Sequence, residues 1–169
     1  MTSHSAGTDL RVAFREAVSS TWVICTADGD RPVGFTAISV VSVSVAPPLV
    51  SFNLSRTSSS RATIERTGRV SLHLLAAHQS HLARRFAGDR RSRFVSDWHW
   101  HDDGLPALTE FSARLSADVA ATFDAGDSLL VTAQVTNHQQ GHGDPLVHHR
   151  GAYHTLDRTP SLVLQEESA

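Results

Sequence analysis

The chain has 169 residues and a formal charge of -2 at pH 7, one domain's worth of sequence with material for one sizeable core. All fifteen basic residues are arginine. That excludes Schiff-base chemistry and a P-loop lysine at every position, and the near balance of charge excludes a nucleic-acid or membrane binder held by bulk electrostatics. The single cysteine, Cys25, cannot close an internal disulfide or build a thiolate metal cage, a usage expected of a reducing, cytoplasmic setting. The opening residues carry neither a basic region nor an apolar one, and no apolar run approaches the roughly 20 residues of a membrane span, so neither a signal peptide nor an anchor is expected.

A single domain over residues 8–157 is expected, flanked by a small, polar N-terminus (1–7), read as disordered, and a C-terminal tail (158–169). Thr8 can cap a helix in which Leu10, Ala13, Phe14, Ala17 and Val18 recur at helical spacing, predicting one apolar stripe on the core. Residues 21–27 and 32–45 read as a hairpin of two strands about the turn Asp28, Gly29 and Asp30, ended by Pro47 and Pro48. Residues 49–54 make a third strand, residues 61–66 a short helix stopped by Gly68, and residues 70–75 another strand. Ser80 can cap a helix with Leu82, Ala83, Phe86 and Ala87 on its apolar face. Residues 111–123 and 128–137 form a long hairpin about Asp124, Ala125, Gly126 and Asp127, and residues 147–156 return as a last strand. Many strands, few helices and no alternating βαβ rhythm predict a mainly β fold, an antiparallel barrel with peripheral helices.

Eleven histidines invite a metal reading, with His99 and His101 and the pair His148 and His149 as the densest groups. They lack the helical or finger spacing that brings three or four ligands together, so they read as surface loop residues. No Gly-x-Ser-x-Gly elbow is present, and Cys25 sits in an apolar strand pattern, where a thiol packs in the core. No Gly-x-Gly-x-x-Gly follows a strand, so a nicotinamide would bind without a Rossmann site. The segment from Ser55 to Arg61 (Ser-Arg-Thr-Ser-Ser-Ser-Arg) joins a strand end to a helix start and combines hydroxyls, N–H donors and arginines, which suits a phosphate. The same composition also suits an ordinary capping loop. Arg84 and Arg85 read as a solvated helix face.

Several segments in order carry a resemblance. They are Phe14-Arg15-Glu16-Ala17, Gly34-Phe35-Thr36-Ala37-Ile38-Ser39 with Val41-Ser42-Val43-Ser44, Pro47-Pro48-Leu49-Val50, Arg56-Thr57-Ser58-Ser59-Ser60, Arg84-Arg85-Phe86-Ala87, Ala125-Gly126-Asp127 and Val147-His148-His149-Arg150-Gly151-Ala152-Tyr153. Over residues 11–156 the chain resembles the flavin reductase-like family, the reductase components of two-component flavin-dependent monooxygenases. The resemblance implies an FMN-binding, Greek-key split β-barrel and an NAD(P)H:flavin oxidoreductase. Such an enzyme uses FMN or FAD and NADH or NADPH, forms a homodimer and supplies reduced flavin to a separate oxygenase, with no nucleic acid or membrane involved.

By that resemblance Thr36, Ala37, Ile38 and Ser39 lie along the flavin ring, with Asn53 and Leu54 on the neighbouring strand. Ser58 and Ser60 match a phosphate-binding pair, and Arg85 and Phe86 lie near the ribityl-phosphate or adenosine end. His149 and Tyr153 fall in a stretch implicated in nicotinamide binding, His149 being the candidate functional histidine. The chain departs from the family at Ile38, where a small polar residue is common, and at Ser128, where Gly-Asp-His is common. These departures keep a non-enzymatic flavin-binding module on the same barrel in play. A related oxidase of the pyridoxamine phosphate type would need a denser basic clamp than this lysine-free chain provides.

Overall fold

The computed structural model describes residues 9–156; the N-terminal segment, Thr8 and the C-terminal tail named above lie outside them. The elements in chain order are α1 (Leu10–Phe14), β1 (Ser19–Ser20), β2 (Trp22–Asp28), β3 (Arg31–Ala37), β4 (Val41–Ser44), β5 (Leu49–Ser55), α2 (Arg61–Thr67) and β6 (Arg69–Leu74). They continue as α3 (Ser80–Ala87), a 3-10 turn (Arg90–Ser92), β7 (Trp98–Trp100), β8 (Pro106–Leu108), β9 (Ala113–Ala125), β10 (Ser128–Gln140), β11 (Val147–His149) and β12 (Ala152–His154). Seven strands form one antiparallel sheet in the order β3-β2-β6-β9-β10-β5-β4, with smaller sheets β1-β11-β12 and β7-β8 beside it. The mainly β, antiparallel expectation holds.

Strand alternation sends successive side chains to opposite faces, and β2 shows the consequence. Ile24 joins a core with Phe52, Leu54, Leu72 and Val131. Its neighbours Val23 and Cys25 turn the other way, into a second core with Leu82, Ala83 and Phe86 of α3. Cys25 is therefore core, as its apolar context predicted, and burial pushes its thiol well above the ordinary range. Gly34 lets α3 approach the sheet: a Cβ there would stand 2.9 Å from the Ile24 carbonyl oxygen and 3.2 Å from the Phe86 ring. The Thr36 hydroxyl donates to the Ala83 carbonyl at 2.6 Å and ties β3 to the helix.

Four expectations need correction. The long strand of residues 32–45 is two strands: β3 pairs with β2, and β4 pairs with β5 at the opposite end of the sheet order. The chain changes partners across Ile38 to Val40, which have no strand neighbour, because an unbroken alternating run cannot serve both edges of a sheet that curls on itself. The last strand is also two, β11 and β12, folded about Arg150 (φ 52°) and Gly151 (φ 80°), the two positive φ angles of a tight hairpin turn. Helix α1 buries no residue and is capped by Asp9, whose carboxylate accepts from the Arg11 N–H, so its apolar residues face outward. Ser80 is the first residue of α3 rather than its cap, and Ala87 is exposed.

Candidate functional site

The break between β3 and β4 opens a groove of about 400 Å³ on the surface of the barrel. Its floor comes from Phe35, Thr36, Ala37, Ile38 and Ser39, its neighbouring wall from Asn53 and Ser55 of β5, and its ends from Ser58, Ser128, Arg93 and the end of α3 at Phe86 and Ala87. At Ile38 and Ser39 the floor has no strand partner, so it offers N–H and C=O groups to a flat polar edge laid along it. Ser39 fixes this floor to the wall, its Oγ accepting from the Asn53 N–H at 3.0 Å. Asn53 points outward and Leu54 inward, as alternation on β5 requires.

Of the residues singled out from sequence, the groove brings together Thr36, Ala37, Ile38, Ser39, Asn53, Ser58 and Phe86. Leu54 is buried in the core on the other face of β5. Ser60 is also buried; its N–H donates to the Ser58 Oγ at 3.3 Å, and its own hydroxyl has no partner among the described residues. Arg85 pairs with Asp97 at 2.8 Å. His149 and Tyr153 lie on the β11–β12 hairpin, which stands against α3 through Arg84 over the Tyr153 ring at 5.6 Å. Arg150 anchors that hairpin to Glu16 and to the Arg15 carbonyl.

The phosphate-like loop is organised differently from its composition. Both of its arginines are committed to carboxylates: Arg56 to Asp124, and Arg61 to Glu65 at 3.0 Å. Arg56 also donates to the Gly126 carbonyl at 2.8 Å, which clamps the loop to the β9–β10 turn and sets Ser128 opposite Ser55. The cation at the groove is Arg93, which sequence reasoning missed. Its Nη1 donates to the Gly34 carbonyl at 2.6 Å and stands 3.4 Å from the Ser59 hydroxyl, while Nη2 donates to the Gly88 carbonyl at 2.8 Å. Arg93 has no ion-pair partner among the described residues. Burial lowers its pKa, with Asp89 acting in the opposite sense. The run Arg90-Arg91-Ser92-Arg93 was the signal available in the sequence.

From Phe86 at the groove an edge-to-face chain runs through Phe94 and Trp98 to Trp100, at centroid distances of 5.0, 5.3 and 5.4 Å. The tryptophan segment thus forms β7 and braces the end of α3 through Phe94.

Fold and groove together define a split-barrel protein with a site sized for a nucleotide cofactor. Residues 14–157 match the family described as the flavin reductase like domain. The chain is 38% identical over 153 residues to an NADH:FMN oxidoreductase of Rhodococcus qingshengii, covering 86% of this chain and 80% of that protein. It is 31% identical over 145 residues to the reductase subunit of a flavin-dependent monooxygenase of Rhodococcus jostii, covering 85% and 74%. Its fold matches the crystal structure of a flavin reductase domain protein from Arthrobacter sp. FB24 with a TM-score of 0.83 at 30% identity, covering 88% of this chain and 94% of that one. The chain belongs to the flavin reductase-like family.

Proposed function

We propose that the protein is an NAD(P)H:flavin oxidoreductase that reduces FMN or FAD and hands the reduced flavin to a separate monooxygenase component. The groove carries this reading. Its backbone floor at Ile38 and Ser39 suits the polar edge of a flavin ring. Phe35 and Phe86 supply apolar contact, and the Ser58 hydroxyl and the unpaired Arg93 guanidinium suit a phosphate. The bound flavin supplies the hydride acceptor. Ile38 and Ser39 would hold the polar edge of the ring and offer N–H donors where negative charge grows on reduction, and Ser58 and Arg93 would anchor its phosphate. No side chain needs to act as acid or base in that step.

On this reading His149 and Tyr153 serve the hydride donor. Their hairpin is braced on α3, whose last residues line the groove. The relatives named above, an NADH:FMN oxidoreductase and a monooxygenase reductase subunit, support both the donor and the oxygenase partner. A homodimer fits two groups of exposed apolar side chains: Val41 (57% exposed) and Val43 (54% exposed) on edge strand β4, and Leu10, Val12 and Phe14 on α1. A cytoplasmic setting fits the single reduced cysteine, and no helix among the described residues is long and apolar enough to cross a membrane.

The test is steady-state oxidation of NADH or NADPH with flavin in large excess over protein. A rate that rises and saturates with free flavin is expected of a reductase that releases its product. A stop after one equivalent of flavin would instead support a flavin-binding module.

A further inference from the structure

Beside the groove, on the far side of Arg93, lies a second cavity of about 400 Å³ whose polar lining includes Arg31, Arg90, Arg91, Arg93, Ser59 and Ser60. Its one carboxylate, Asp28, is held by Arg66 at 2.9 Å and lies 3.9 Å from Arg31. Arg90 and Arg91 are exposed and form no ion pair among the described residues. The turn that carries them is fixed by Asp89, which accepts from the Arg91 N–H at 3.0 Å. The Ser60 hydroxyl is fully buried, has no hydrogen-bond partner among the described residues and belongs to this cavity's lining. Four guanidinium groups and an unmet hydroxyl around one such space call for an anion of more than one charge.

The two cavities adjoin. They share Arg93, and consecutive residues divide between them: Gly34 and Phe35 on one strand, Ser58 and Ser59 on one loop. We propose that the arginine-lined cavity takes the diphosphate and adenylate of FAD, making the dinucleotide the flavin this chain prefers over FMN. This rests on the flavin reading of the groove. A ligand with its ring on Ile38 and its first phosphate at Ser58 and Arg93 continues into the second cavity without leaving the protein. FMN ends at that first phosphate and leaves Arg90, Arg91 and Ser60 unmet. A diphosphate matches several guanidinium forks at once, and the volume lies in the range of sites for small ligands. The hydride donor has to reach the open face of the ring, whereas this cavity adjoins the phosphate end.

Equilibrium binding of riboflavin, FMN, FAD and ADP to the full chain by calorimetry tests the assignment. FAD is expected to bind at least tenfold tighter than FMN, and ADP to bind alone and compete with FAD but not with riboflavin. Replacing both Arg90→Ala and Arg91→Ala should bring the FAD Kd up to that of FMN and leave riboflavin binding as it was. Ser60→Ala, which removes an unpaired buried hydroxyl and so should fold well, should weaken FAD and ADP binding selectively. Equal affinity for FMN and FAD in the native chain would overturn the proposal. So would an arginine variant that raises the KM for NADH or NADPH with the FAD Kd unchanged, since that would give the arginines to the donor. If riboflavin and FMN bind and FAD gains nothing, only this inference falls; if no flavin binds at all, the reading of the groove falls with it.

Discussion

Arg93 donates from Nη1 to the Gly34 carbonyl oxygen at 2.6 Å, so the cation at the groove and the backbone that begins its floor are parts of one unit. The bond comes from a residue 59 positions along the chain, and it aims a guanidinium without a carboxylate partner at the end of the groove. Arg93→Ala is expected to raise the flavin Kd at least tenfold, about 1.4 kcal/mol. Arg93→Lys should recover little of this, because a point charge cannot hold the Gly34 and Gly88 carbonyls together. Flavin fluorescence quenching reads both variants, and wild-type affinity in Arg93→Ala would remove the residue from the site.

Ser58 and Ser60 should separate in a binding experiment. Ser58 lines the groove and Ser60 does not, so Ser58→Ala is expected to weaken FMN binding several-fold, whereas Ser60→Ala leaves FMN within about twofold. Titration of each single variant with FMN checks this, and equal loss in both would restore the paired reading of the loop.

The Thr36 hydroxyl belongs to the fold more than to the ligand, since it is engaged with the Ala83 carbonyl at 2.6 Å. Thr36→Val should lower stability by about 1 kcal/mol, the net worth of one partly buried hydrogen bond. Urea denaturation measures it. Gly34→Ala should cost more, because its Cβ would meet the Ile24 carbonyl at 2.9 Å, a backbone atom that cannot swing away.

Acid should destabilise the fold from a defined pH downward. His73 is fully buried between strands, with Nδ1 3.3 Å from the Val23 carbonyl and Nε2 accepting from the Leu108 N–H at 3.3 Å. Burial first, and the Arg114 cation second, push its pKa down to about 3. Below the ordinary histidine value of about 6.5, the unfolded chain takes up a proton that the folded chain refuses, so stability falls by up to about 1.4 kcal/mol per pH unit toward pH 3. Burial raises the Asp103 carboxyl, but the Ser116 hydroxyl, Arg114 and the Leu105 N–H outweigh it and hold the group well below the carboxylate range. Its contribution is present above about pH 4 and is lost as pH falls further. Unfolding midpoints from pH 7 to pH 4 should therefore slope downward, and His73→Gln should flatten the part above pH 4.

His149→Ala is expected to impair turnover with NADH or NADPH more than flavin binding. Stopped-flow reduction beside a flavin titration separates the two effects. Equal loss of both would make the residue a support for the β11–β12 hairpin.

The elements that could be read in advance followed from local chemistry: strand composition and bounding turns marked β5 and β9, and Gly68 (φ 64°) stopped α2. The placing of Thr36 to Ser39 along the ring came from the family resemblance. What could not be read depended on distant partners. The exchange of β2 for β5 across Ile38 to Val40 is a property of sheet closure, and nothing in an even Val/Ser alternation announces it. Arg56 and Arg61 looked like phosphate ligands until their carboxylates, one of them 68 residues away, were in place. Arg93 went unnoticed because its partners, Gly34 and Gly88, are carbonyls that composition does not reveal. Helix α1 carried an amphipathic pattern whose apolar side stays largely exposed, since periodicity names a face and not its partner.

The most direct measurement is anaerobic: mix the protein with a large excess of FMN or FAD, add NADH or NADPH, and follow the loss of the flavin band near about 450 nm. Multiple-turnover bleaching, saturable in flavin and faster with one donor, is the outcome this account requires. Bleaching limited to one flavin per site, or none with flavin bound, would contradict it and leave a flavin-binding barrel without reductase activity.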